Sequence, residues 1–151
     1  MRPDELHYAI LNELQSDARL TNAEIGRRVG LTAPAVAERI KRMQEEGIIK
    51  GFSAEIDFGL LGFGQKVWIG IKLSQTPTDV FVKEAGRVEG VTDMIRTTGE
   101  FCFFVAVVVP SVRELADILE KLGRLGETTT FSVLSSPFNR KPVKLKHNRA
   151  L

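Results

Sequence analysis

The residues with most to offer chemically in this 151-residue chain are arginines, not catalytic groups. Thr32, Ala33, Pro34 and Ala35 are followed by Glu38, Arg39, Lys41 and Arg42, and preceded by Arg27 and Arg28. A guanidinium fork can bond the O6/N7 edge of guanine or a phosphate. The Thr32 hydroxyl, with the free N–H groups of a first helical turn, suits a phosphate oxygen. Small residues at 33–35 allow close approach to a duplex and contact with a thymine methyl. Glu38 opposes phosphate unless it accepts from a cytosine amine or pairs with Arg42 one turn on. The same residues can also be a solvated face of a helical bundle.

A second group is Thr98, Gly99, Glu100, Phe101 and Cys102, with Thr129 on a later segment. It is either a small-molecule site or a plain hairpin connection. Cys102 is the only cysteine, so neither an intrachain disulfide nor a cysteine zinc site can form. It lies in the apolar run Phe101–Val109, where a small core residue is the plainer reading. The two histidines, His7 and His147, lie at opposite ends. There is no HxxxE, CxxC, GxSxG or phosphate loop, so no enzyme, metal or cofactor is expected.

These groups must be held by ordered elements, and the composition allows it: 43% hydrophobic and 26% charged. No secretory leader and no membrane-length apolar run is read, so a cytoplasmic location is expected. Charge is uneven. Residues 1–52 carry eight basic and eight acidic side chains, residues 53–137 eight and eleven, and residues 138–151 five and none. The head is therefore neutral, and any nucleic-acid contact depends on where charges fall on particular helices.

Three helices are predicted in the head. Leu6, Ile10, Leu11 and Leu14 form one stripe from about Asp4 to Gln15. Thr21 with Glu24 reads as a capping box, with Leu20 and Ile25 as its staple, and Gly30 ends that helix. Thr32 caps a third, with Pro34 in its first turn and Val36, Ile40 and Met43 inward, ending at Gly47. This is a helix-turn-helix pattern, with the third helix as the reading helix. Domain 1–52 is then followed by a linker strand and hinge over 53–64. Over 65–137 the pattern is β-α-β-β-α-β, a ferredoxin-like sandwich. A helix is expected to open at Thr76–Asp79 with Pro77 at its first position, a tight turn at Gly99-Glu100, and a capping box at Ser111/Glu114. The strand Phe101–Val109 is apolar throughout, so it should be central and buried on both faces or at an interface. The fold class is α+β, a winged-type helix-turn-helix domain followed by the sandwich. Residues 138–151 are a basic tail, either a solvated end or a source of phosphate contacts.

The stretch from Asp17 to Ala54, with its DAR start, GLT turn and V..RI.RM...GII.GF.A run, resembles the Lrp/AsnC (feast/famine) regulators. The order of the following domain matches as well. The resemblance implies a DNA-binding head and a dimerising sandwich that assembles further, with an octamer as one outcome. It also implies an amino-acid effector between subunits. It points to Thr32, Ala35, Arg39 and Arg42 for DNA and to residues 98–102 for the effector. Relatives commonly carry Asp where this chain has Cys102, and an acid where it has His7. A thiol cannot hold an ammonium group, so Glu100 is the near substitute. Two alternatives stay open: a small enzyme on the sandwich, and an effector-sensing module without DNA binding.

Overall fold

The computed structural model describes residues 2–138 and 140–146. His147 and Arg149 of the basic tail lie outside them. The chain divides into two compact units, one of residues 1–54 with 138–151 and one of residues 55–137. Among the described residues, no helix is long and apolar enough to cross a membrane.

The head is built on α1 (Glu5–Ser16), α2 (Asn22–Val29) and α3 (Ala33–Glu45). Ile10, Ile25, Val36 and Met43 are fully buried at its centre, with Leu11, Leu14, Leu20, Val29, Leu31, Ile40 and Ile49 packed around them. Burying each such side chain contributes roughly 1.5–3 kcal/mol. The caps form as the residue types require. The Thr21 hydroxyl accepts from the Glu24 N–H at 3.2 Å, and Glu24 accepts from the Thr21 N–H at 2.8 Å. The Thr32 hydroxyl accepts from the Ala35 N–H at 3.4 Å.

The turn between α2 and α3 depends on two glycines. Gly30 has φ of 74°, a left-handed conformation that a Cβ disfavours. Gly26 faces the turn directly: its carbonyl accepts from the Leu31 N–H at 2.9 Å, and a Cβ there would collide with the Leu31 carbonyl.

The second unit holds β1 (Gln65–Lys72), α4 (Thr78–Ala85), β2 (Val91–Arg96), β3 (Phe103–Val109), α5 (Val112–Gly123) and β4 (Glu127–Ser132). The antiparallel sheet has the order β2-β3-β1-β4. β3 is thus internal, as its continuous apolar run requires. Val67, Ile69 and Ile71 of β1 and Phe103, Val105, Val107 and Val109 of β3 pack with Phe81 and Ala85 of α4 and Leu115, Ile118 and Leu122 of α5. This is the ferredoxin-like α+β sandwich, helices on one face.

Several local expectations are corrected. No strand forms among residues 53–64; Gly59–Leu61 is a single 3-10 turn. A strand needs a hydrogen-bonding neighbour, and among the described residues no strand pairs with this segment. Pro77 is the N-cap of α4 and makes no side-chain cap, so the helix starts one residue later than expected. At α5, Ser111 accepts from the Glu114 N–H at 3.2 Å, but its hydroxyl, not its backbone N–H, meets the Glu114 carboxylate. That is half a capping box. The Gly99-Glu100 connection is wider than a two-residue turn: β2 ends at Arg96, β3 starts at Phe103, and the Thr97 N–H closes the loop on the Cys102 carbonyl at 2.9 Å.

Candidate functional site

Helix α3 brings most of the expected nucleic-acid residues to one surface. Its first turn follows the Thr32 cap; the Ala35 N–H is taken by the Thr32 hydroxyl and Pro34 has none, so the Ala33 N–H is the backbone donor this turn points outward at the helix N-terminus. Val36 and Met43 face the core, which leaves Glu38 and Arg42 exposed on the opposite side. Lys41 is exposed at the flank and reaches Glu45 only loosely, at 3.8 Å. On α2, Arg27 is exposed, whereas Arg28 is turned onto α1, where it pairs with Glu13 at 2.6 Å.

Arg39 is held in place from inside the head. Its Nη1 donates to Asp4 Oδ2 at 2.9 Å and to Oδ1 at 3.1 Å. The same nitrogen lies 3.0 Å from His7 Nδ1. Only 26% of the Arg39 side chain remains exposed. Asp4 is also the N-cap of α1, accepting from the His7 N–H at 2.9 Å, while its own N–H meets His7 Nδ1 at 3.2 Å. Partial burial works to raise the Asp4 pKa. The His7 N–H, the Arg39 guanidinium and the His7 ring outweigh it and hold the carboxyl down at about 2. Asp4, His7, Ala35, Glu38, Arg39 and Arg42 line one groove.

Asp4 and His7 were not among the residues singled out for DNA. Their i, i+3 spacing at the start of a helix is the available signal, because it is the spacing of a capping box. Here the ring of His7 occupies the position usually taken by Glu or Gln. His7 is 95% buried in this role, with a relative exposure of 5%.

The second group gathers at one end of the sheet. Thr97 Oγ1 donates to the Phe101 carbonyl at 2.7 Å, and Gly99 has φ of 109°. The Cys102 N–H extends the ladder to the Ile71 carbonyl at 2.8 Å. Its side chain is half-buried and packs against the core cluster on the helix side. Phe101 turns to the other face, where its ring contacts Phe104 and Phe131 at centroid separations of 5.4 and 5.8 Å. That ring sits over Gly70, where a Cβ would lie only 2.8 Å from it. Thr129 is the cross-strand partner of Gly70. Lys72 bonds Glu100 at 2.7 Å and lies 5.3 Å from the centre of the Phe101 ring. Glu100 holds the Lys72 ammonium above its usual pKa. Gly99, Glu100, Phe101 and Thr129 are thus brought together with Lys72 and Gly70, which sequence reasoning had not included. Both lie on β1, far away in sequence, and only strand register shows their proximity. Among the described residues, no group of three or more His, Cys, Asp or Glu could hold a metal ion.

Residues 3–50 match the winged helix-turn-helix DNA-binding model, and residues 66–143 match the Lrp/AsnC ligand binding domain. The chain belongs to the Lrp/AsnC family. It is a DNA-binding transcription regulator. It is 33% identical over 124 residues to an uncharacterized HTH-type transcriptional regulator of Pyrococcus furiosus, covering 80% of each chain. It is 29% identical over 138 residues to the leucine-responsive regulatory protein of Escherichia coli, covering 87% of this chain and 84% of that one. A feast or famine regulatory protein from M. tuberculosis, solved in complex with L-methionine, superposes with a TM-score of 0.88 at 25% identity, over 94% of this chain and 99% of that one. Helix α3 and the 98–102 loop sit in separate units of this chain.

Proposed function

We propose that this chain binds a specific operator as a homodimer or larger assembly, an octamer included, and that an amino acid modulates it. The observation that carries the reading is the surface of α3: a threonine-capped, small-residue first turn, then Arg39 and Arg42 beside one groove. Thr32, Ala33, Pro34 and Ala35 approach the duplex. Arg39 and Arg42 read bases or grip phosphate, Glu38 selects against a misplaced base, and Lys41 and Arg27 reach the backbone. Arg28, tied to Glu13, contributes through its remaining donors. Its place of work is the cytoplasm, with the DNA.

Assembly is supported by the sheet face that carries no helix. Trp68, Phe104, Phe131 and Ile95 lie on it, with Phe131 and Ile95 43% and 45% exposed. An apolar aromatic face of this kind fits a second copy of itself, and a twofold pair would set two reading helices ~34 Å apart.

The effector reading rests on the Lys72–Glu100 pair. An amino-acid zwitterion carries both complementary charges: its ammonium suits Glu100 and its carboxylate suits Lys72. Such a ligand replaces one exposed ion pair by two, with Thr129 across from Gly70, the exposed Thr98 and Gly99 in the same loop, and Phe101 as an apolar wall. Cys102 contributes packing, not charge. L-methionine on the M. tuberculosis relative supports the ligand class.

A gel shift with the promoter region of its own gene tests the first half. Wild-type protein should bind in a salt-sensitive way and Arg39→Ala should lose at least tenfold in affinity while keeping its assembly state. Absence of salt-sensitive binding to any operator sinks the reading.

A further inference from the structure

The basic tail returns to the head and is gripped there. Two side-chain amides on α1, one turn apart, hold alternate residues of the tail by their backbones. Asn12 Nδ2 donates to the Leu145 carbonyl at 2.9 Å, and Asn12 Oδ1 accepts from the Leu145 N–H at 2.9 Å. Gln15 repeats the pattern on Val143, with Nε2 to the carbonyl and Oε1 from the N–H, both at 3.1 Å. Residues i and i+2 of an extended chain are ~6.7 Å apart, and residues i and i+3 of a helix rise ~4.5 Å. The extra methylene of Gln15 helps cover the difference. At the near end, Arg140 donates to Ser53 Oγ at 3.1 Å.

Because the grip is on backbone, the tail's side chains stay outside it. Lys141, Lys144 and Lys146 are exposed, and residues 138–151 contain no acid to neutralise them. The tail also has a direction. It meets Gln15 before Asn12, so it runs toward the N-terminus of α1, where Asp4 holds Arg39 of the reading helix. A row of cations thus ascends the flank of the head toward the groove assigned to DNA.

We infer that Asn12 and Gln15 form a docking site that presents Arg140, Lys141, Lys144 and Lys146 as a phosphate-gripping arm on the DNA flanking the operator. The inference rests on the operator-binding reading above. An arm already ordered on the head loses less freedom when it meets the duplex than a free tail would. Its contacts go to phosphate, so it adds affinity without changing which sequence is preferred.

The test is operator affinity of the full chain, measured by fluorescence anisotropy over a range of salt. Each lost phosphate contact lowers the slope of log K against log salt by about 0.9. Lys144→Ala with Lys146→Ala should therefore reduce the slope by about 1.8 per bound subunit, and the Lys→Arg pair should restore it. Asn12→Ala with Gln15→Ala should weaken binding severalfold and leave the operator-to-random ratio unchanged. An unchanged slope in the Lys→Ala pair overturns the arm, as does a lowered melting point with no change in slope. If wild-type protein binds no operator, the functional reading fails instead.

Discussion

Replacing Asp4 by Asn separates the two tasks of its carboxylate. Asparagine is as good an N-cap as aspartate, so the bond from the His7 N–H survives and the charge facing Arg39 and the His7 ring is lost. The folded carboxyl titrates at about 2 against 3.8 for the free group. Taken whole, that difference corresponds to ~2.4 kcal/mol. The side chain is 52% exposed, so solvent screening brings the expected contribution to about 1 kcal/mol. Since the folded value is the lower one, the stabilisation is complete above pH 3.8 and lost as pH falls toward 2, with about half gone near pH 3. Amide hydrogen exchange of α1 and α3 in the full chain reads this directly. Opening should be about fivefold more frequent in Asp4→Asn at pH 7, and the ratio to wild type should shrink to about twofold near pH 3. Operator affinity should fall by a similar factor, because Arg39 must then be ordered at the moment of binding. A variant that binds its operator more tightly would refute the reasoning, since Asp4 would then be competing with DNA for Arg39. A stability gap unchanged at pH 3 would refute the charge account.

Other perturbations probe the remaining parts. Gly26→Ala drives a Cβ into the Leu31 carbonyl and should cost the head about 1–3 kcal/mol, seen as a lower melting transition with loss of the gel shift. Glu100→Gln and Lys72→Met should each abolish the rise in melting temperature produced by the cognate amino acid in a thermal-shift screen of the twenty, while gel shifts without effector stay unchanged. Phe131→Asp places a charge on the exposed aromatic face. Light scattering should report smaller particles, and operator affinity should drop because two heads are no longer joined.

The elements of this fold were legible where a side chain marks its own position. Thr21, Glu24 and Thr32 announce helix starts, and alternating Val67, Ile69 and Ile71 announce a strand with one face inward. What escaped reading was marked by something missing or by something distant. Gly26 is required for the room it leaves, and an absent side chain adds nothing to a periodic pattern. Asn12 and Gln15 look like any solvated helix face until the partner more than a hundred residues later is known. The ring of His7 closes a capping box with Asp4, which the residue type alone does not announce, since Glu or Gln is the usual partner there. The missing linker strand is the converse case, since its apolar residues give the pattern and only a pairing neighbour would give the strand.

On the proposed effector reading, Cys102 illustrates how register moves a role away from the position the sequence pattern suggests. Its N–H is committed to the Ile71 carbonyl, and its side chain lies against the core, so a carboxylate placed there would be partly desolvated on the helix side. The neighbouring Phe101 goes to the other face, and it fits there only because Gly70 has no side chain. With Phe101 seated over Gly70, the loop just before it brings Glu100 to Lys72, and Thr129 stands across from the same glycine. A negative charge stands instead two residues earlier, at Glu100, on the solvent side and already paired with Lys72. A ligand must displace that pair to bind. A zwitterion can, because each of its ends satisfies one partner; a simple cation or anion satisfies one and strands the other. On the proposed effector reading, this geometry should select amino acids over plain amines or carboxylates, whichever side chain Phe101 then favours.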